Sequence, residues 1–303
     1  MTAAALALRA FAKINWTLEV LGRRPDGYHE LRTVLQTIAL HDDLSWSGDG
    51  GADLTIDCPA GWDLGPPAAN LAARALRAYP VPLAGRLRLR KRIPPAAGLG
   101  GGSSDAAAVL RAADALSGRP LGVRRLETIA ASLGSDVPFF VGGGTQLASG
   151  RGEVLRPLPD AEPRWLVLLT PPLAAGGKTA RLFGMLHAAD FTDGAATGRL
   201  VAALRRGESP RVEWLSNSFD CLAAAAFPGL DSFRRPLREV CGNAMLCGAG
   251  PSLFALLPDR RSAGAAAARL RRAGLPARTV RTVSAAESTR QRPPPDAAGR
   301  ERS

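Results

Sequence analysis

Between Ala97 and Asp105 the chain reads Gly98-Leu99-Gly100-Gly101-Gly102-Ser103-Ser104, and an alanine-rich helical pattern starts directly behind it. Clustered glycines are costly to order, and most costly just ahead of a helix that must nucleate. A tight turn needs one or two of them, and a flexible linker would not lie between two strongly patterned flanks. A glycine loop that runs into a helix start gains something else. It gathers unpaired backbone N–H groups at the positive end of the helix dipole, and the missing side chains let an anion approach. Ser103 and Ser104 add hydroxyls able to bond phosphate oxygens or a phosphate-bound Mg²⁺. The stretch therefore calls for a strand, a phosphate cradle and a helix in that order. No Lys-Ser/Thr follows it, as a P-loop requires, and the Gly-x-Gly pattern ends in Ser103 instead of the glycine of a dinucleotide loop.

The flanks support that order. Residues 10–20 alternate, with Ala10, Ala12, Ile14, Trp16, Leu18 and Val20 on one face and Phe11, Lys13, Asn15, Thr17 and Glu19 on the other, as in a half-buried strand. A turn follows at 22–27, and 28–40 reads equally as helix or strand. Short strands are expected at 53–57 and 86–92, helices at 70–79, 103–116 and 123–133. Past Pro163 come a buried strand (RWLVLLT), helices around 178–206 and 217–226, a glycine turn entering a strand (MLCGAGPSLFALL), a helix and a last strand. Without regular βαβ spacing, the fold class is α+β. The expected division is 1–160, 161–285, and a disordered basic tail at 286–303.

Net charge is +12, which invites an RNA-binding reading. That reading needs aromatics interleaved with clustered basic residues, and the most basic strand, RLRLRKR, has none. Of 39 basic residues only Lys13, Lys91 and Lys178 are lysines, so arginine serves wherever a generic charge will do. No stretch reaches the roughly 20 apolar residues of a membrane span. The scattered cysteines Cys58, Cys221, Cys241 and Cys247 are read as buried free thiols of a cytoplasmic protein. Neither a nucleic-acid nor a membrane partner is expected, and the oligomeric state is left open.

Five segments carry a resemblance. PPAAGLGGGSSDAA is similar to the nucleotide-binding motif of the GHMP kinase superfamily, which includes galactokinase, homoserine kinase and mevalonate kinase. FAKINWTLEVLGRRPDGYHEL, LGSDVPFFVGGG, NSFD and CGAGPSLFAL resemble, in order and spacing, one branch of it. That branch phosphorylates the 2-hydroxyl of a cytidine-diphosphate-linked methylerythritol in the non-mevalonate isoprenoid pathway. The resemblance implies a two-lobed kinase fold with the active-site cleft between the lobes, and ATP with Mg²⁺ as cofactors. It departs at Cys247, where Ser or Thr is frequent, at Asp105, where Asn is common, and at Ala96-Ala97, which shorten the glycine run. Another small-molecule kinase of the superfamily is the nearest alternative, and RPDGYHELRT argues against it.

The resemblance implies catalytic roles for Lys13 and Asp136. A lysine kept at mid-strand in an arginine-rich chain fits independently, because a compact ammonium can approach one oxygen and one carboxylate where a planar guanidinium cannot. An aspartate is a weak base at neutral pH, so Asp136 orients the attacking hydroxyl first and accepts its proton second. ATP would lie on Pro94, Pro95, Ala96, Ala97, Gly98, Leu99, Gly100, Gly101, Gly102, Ser103 and Ser104, with Ser104 a candidate toward Mg²⁺. Asn15, Tyr28, His29 and Phe183 would meet the acceptor, the rings stacking on cytosine. His41 and His187 stand apart, without metal-ligand spacing.

Overall fold

The computed structural model describes residues 6–48, 53–83, 85–173 and 177–291. Its strands are β1 (Leu6–Arg23), β2 (His29–Ser47), β3 (Asp53–Asp57), β4 (Arg86–Arg90), β5 (Thr145–Gly150), β6 (Val154–Pro157), β7 (Trp165–Leu169), β8 (Ser216–Asn217), β9 (Met245–Leu246), β10 (Leu253–Leu257) and β11 (Ala277–Arg281). Its helices are α1 (Leu71–Ala78), α2 (Gly101–Leu116), α3 (Val123–Leu133), α4 (Val137–Gly142), α5 (Lys178–Met185), α6 (Ala195–Arg205), α7 (Ala223–Ala226), α8 (Asp231–Cys241), α9 (Arg260–Arg272) and α10 (Ala285–Ser288). Among the described residues the strands form a seven-stranded sheet, β3-β4-β2-β1-β8 with β5 and β6 attached through β2, and a four-stranded sheet, β11-β7-β10-β9.

The hairpin of β1 and β2 organises the first sheet, and the 28–40 segment left open by its pattern is strand. β1 is not half-buried. From Leu8 to Val20 every residue except Arg9 is buried, Lys13, Asn15 and Glu19 included. The expected two-face division also fails, for a local reason. The register with β2 shifts between Asn15 and Thr17, and an extra residue in a strand turns the side chains that follow to the opposite face. Leu18 thereby joins Lys13 and Asn15 on one side. Thr17 and Glu19 turn to α6, where the Thr197 hydroxyl donates to Thr17 Oγ1 at 2.9 Å and the Thr197 N–H to Glu19 Oε2 at 2.7 Å.

Helices α1–α4 cover one side of the first sheet, their alanines and Val109, Leu110, Phe139 and Phe140 packing on Leu8, Ala10, Leu44 and Leu87. A second cluster lies between the smaller sheet and helices α8 and α9. A third joins the two sheets: Ile14, Trp16 and Ile38 meet Leu166, Leu168, Phe254 and Leu256, and α6 adds Leu200, Val201 and Leu204. Trp16 is fully buried and sets its ring edge-on to Phe254, centroids 5.9 Å apart. Burying side chains of this size contributes about 1.5–3 kcal/mol each. The chain returns to the first sheet twice after β7, through β8 beside β1 and, past β11, through a bridge between Thr282 and Ile38.

Three local expectations change. Asn217 is in a strand, and only Ala223–Ala226 of the helix expected at 217–226 is helical. Ala285–Ser288, where the disordered tail was to begin, is a helix capped by the Ser284 side chain, while residues 292–303 lie outside the described ones. No disulfide joins the cysteines among the described residues, yet only Cys247 is buried; Cys58 and Cys221 are exposed and Cys241 is intermediate, with its thiol pushed up to about 11 by burial. No helix among the described residues is long and apolar enough to cross a membrane.

Candidate active site

β1 and the glycine loop are stitched together, since the Lys13 N–H donates to Leu99 O at 3.0 Å. A second glycine turn closes over them, with the Ser252 N–H donating to Ala97 O at 3.2 Å. Asn217 braces that turn by donating to Leu246 O and Gly248 O at 3.0 and 2.9 Å. The crowding explains most of the glycines. At Gly98 (φ +81°) a Cβ would fall 2.3 Å from Cys247 O, and at Gly100 (φ +72°) 2.6 Å from the Phe140 ring. Gly101 packs on Ile93, 2.9 Å from where its Cβ would be. Gly102 differs: nothing lies nearer its Cβ position than Leu71 Cδ1 at 3.8 Å. α2 starts at Gly101, two residues before the expected start, with Gly100 in the left-handed conformation at its N-cap. The amides of Gly101 to Ser103 thus form the first turn.

Lys13 is buried, and its ammonium donates to Asn15 Oδ1 at 3.0 Å and lies 3.9 Å from Asp136 Oδ2. Asn15 in turn donates to Thr33 Oγ1 at 2.8 Å, so both of its polar ends are engaged within the protein. Asp136 stands at the start of α4 but makes no capping hydrogen bond, and its side chain is 45% exposed. An ion pair this long and this open adds little stability. Its carboxylate faces the cleft unoccupied by structural duties other than Lys13.

A cavity of about 980 Å³ joins these groups to the acceptor candidates. Lys13, Asn15, Asp136, Gly98, Gly100, Tyr28, His29 and Phe183 all line it, with Leu18, Thr33, Arg23 and Arg151, which the sequence reading missed. The His29 and Phe183 rings are stacked, centroids 4.9 Å apart and inclined by 27°, and Phe219 meets Phe183 edge-on at 5.0 Å. Burial and the Arg23 charge lower the His29 pKa, so the ring is neutral at pH 7. Tyr28 is exposed, with the Arg151 guanidinium 4.6 Å over its ring. Pro94, Pro95, Ala96, Ala97, Leu99, Gly101, Gly102, Ser103 and Ser104 do not line this cavity; Ala97 and Leu99 are buried in the core joining the sheets. Ser103 is half-buried and Ser104 is 2% exposed. His41 lies against Asp43 and Phe11, and His187 caps a short turn, both away from the site.

Residues 68–144 match the GHMP kinases N terminal domain and residues 200–275 the GHMP kinases C terminal model. The chain is 41% identical, over 87% of its own length and 93% of the relative's, to the 4-diphosphocytidyl-2-C-methyl-D-erythritol kinase of Pelotomaculum thermopropionicum. The chain belongs to the GHMP kinases, in the 4-diphosphocytidyl-2-C-methyl-D-erythritol kinase branch. A Dehalococcoides mccartyi kinase of that name is 40% identical over 85% of this chain and 91% of its own. Among solved structures, a 4-(cytidine 5'-diphospho)-2C-methyl-D-erythritol kinase superposes with a TM-score of 0.75 at 36% identity, covering 91% of this chain and 98% of that one. The fold is the α+β GHMP kinase fold, and each of the five segments quoted above lends residues to the cleft.

Proposed function

We propose that this chain transfers the γ-phosphoryl group of ATP to the 2-hydroxyl of 4-diphosphocytidyl-2-C-methyl-D-erythritol, in non-mevalonate isoprenoid precursor biosynthesis. The observation that carries this reading is one cavity lined together by the Lys13–Asp136 pair, by Gly98 and Gly100 of the glycine loop and by a stacked pair of rings. The triphosphate lies against the amides at the start of α2, where unpaired N–H groups and the helix dipole favour negative charge. The cytosine stacks on the Phe183 ring, and neutral His29 beside it offers its ring nitrogens to the base edge. The expected division at residue 160 makes both lobes border the site, since Phe183 and Gly248 face Lys13 and His29 across it.

Phosphoryl transfer asks the protein for position and charge rather than covalent chemistry. The acceptor oxygen forms its bond to the γ-phosphorus as the bond to the bridging oxygen of ADP breaks. Asp136 orients the hydroxyl along that line. Its proton leaves late, to Asp136, because the transition state is loose. Lys13, fixed by Asn15, compensates charge on the transferred oxygens. Among the described residues no group of three or more His, Cys, Asp or Glu side chains can hold a metal. Mg²⁺ is accordingly assigned to the nucleotide's phosphates, with the hydroxyl of Ser103 the more accessible and that of Ser104 the more buried protein oxygen at that turn. Bound there, it would supply charge compensation on the phosphates.

An assay coupled to ADP release, run with this substrate, mevalonate, homoserine and galactose, tests the reading. Turnover is expected with the cytidylyl substrate and at least a hundredfold lower kcat/KM with the others. Preference for any of the other three would overturn it.

A further inference from the structure

Behind the glycine loop, away from the reacting groups, lies a buried cluster of charge. The Lys91 ammonium donates to Asp42 Oδ2 and to Asp105 Oδ2, each at 2.5 Å, with all three side chains at most 5% exposed. Surface ion pairs form readily in an arginine-rich chain, but a buried one is expensive and is seldom kept for stability. Its placement is specific. Asp42 belongs to β2, Lys91 follows β4 directly, and Asp105 is in the second turn of α2.

The contacts bracket the loop. Asp42 Oδ1 accepts from the N–H groups of Arg92 and of Ile93, the latter at 2.7 Å, which fixes the residues immediately before Pro94. Ile93 packs on Gly101, and Lys91 Nζ lies 3.5 Å from the Cβ position of that glycine. Asp105 ties the same ammonium to the helix on the loop's other side. We propose that Asp42, Lys91 and Asp105 are positioning residues that set the span of the glycine loop, by clamping the segment that enters it to the helix that leaves it. This rests on the reading of the loop as the ATP phosphate site. The spacing of amides at the start of α2 then depends on this clamp. One ammonium does not balance two buried carboxylates, and a surplus negative charge here would repel a polyphosphate. Asp42 has two backbone donors besides Lys91, whereas Asp105 Oδ1 has no partner among the described residues, and burial raises the Asp105 carboxyl well above the usual range. Burial thus favours the uncharged form of the Asp105 carboxyl, which lessens that surplus.

The test compares Lys91→Met, Asp105→Ala and Asp105→Asn with the unaltered chain, measuring kcat, both KM values, ATP affinity by calorimetry and melting temperature. Asp105→Asn keeps an acceptor for Lys91 and should behave as the unaltered chain. Asp105→Ala removes the tether to α2 yet leaves a neutral Asp42–Lys91 pair, so it should fold. Its KM and Kd for ATP should rise tenfold or more while the acceptor KM stays within twofold. Lys91→Met should do the same or fail to fold, in which case Asp105→Ala decides. Lowered melting with an unchanged ATP KM in Asp105→Ala would make the cluster merely structural and overturn the inference. If the unaltered chain itself binds no ATP, the phosphate-site reading fails, and the inference with it.

Discussion

His29, at the start of β2, and Phe183, on α5, lie face to face with centroids 4.9 Å apart. Stacked rings at this distance leave no room between them for a third. A pyrimidine therefore either adds to the outside of the stack or parts the two rings on entering. Under the proposed function, either arrangement would make the pair the acceptor's anchor. His29→Ala and Phe183→Ala should each raise the acceptor KM, by a factor corresponding to about 1–3 kcal/mol for a lost stack, with the ATP KM unchanged. A rise in the ATP KM alone would refute the assignment.

The same histidine sets a pH dependence. Burial and Arg23 lower its pKa, so folded His29 holds a neutral ring at pH 7 and charges only as pH falls below the usual value of about 6.5. If the neutral ring bonds the base edge, the acceptor KM is flat from pH 7 to 8 and rises only once pH falls below the usual imidazole value of about 6.5. His29→Gln, which keeps a neutral hydrogen-bonding group, should flatten that acid limb. Retention of the limb in this variant would assign it to another group.

Gly102 offers the cleanest probe of the loop. Gly101→Val would push on Ile93 whether or not ATP binds there, whereas Gly102 has open space around its Cβ position. Alanine favours the helix at this position by up to about 1 kcal/mol over glycine. Gly102→Ala should therefore keep or raise the melting temperature while raising the ATP KM severalfold. Greater stability with unaltered ATP affinity would mean that phosphate does not approach α2 at this point.

The segments of the site were legible because each pattern had a local cause. Glycines before a helix start, a lysine where arginine is the habit and a turn at 22–27 can all be read from neighbours in sequence. What stayed hidden depended on partners far along the chain. The register shift after Asn15, which moves Leu18 into the cleft and Thr17 out of it, is set by pairing with β2. The reason for Gly98 is a carbonyl of Cys247, and the reason for Asn217 is the turn at Leu246 and Gly248. Lys91 was marked by its residue type, but its function as a clamp needed Asp42 and Asp105. Arg151 gave no sign in an arginine-rich chain.

Asp136 and Lys13 make the central claim testable by a single kinetic comparison. With Lys13 Nζ 3.9 Å from Asp136 Oδ2 and 3.0 Å from Asn15 Oδ1, the pair is proposed to act as one unit on the transferred group. The decisive measurement is kcat for Lys13→Arg, Asp136→Asn and the double variant, on folded protein whose ATP affinity has been checked. Each single change should cost roughly a hundredfold or more in kcat, and the double variant should be little worse than the worse single one. Normal turnover in Lys13→Arg, or losses that multiply in the double variant, would contradict the account.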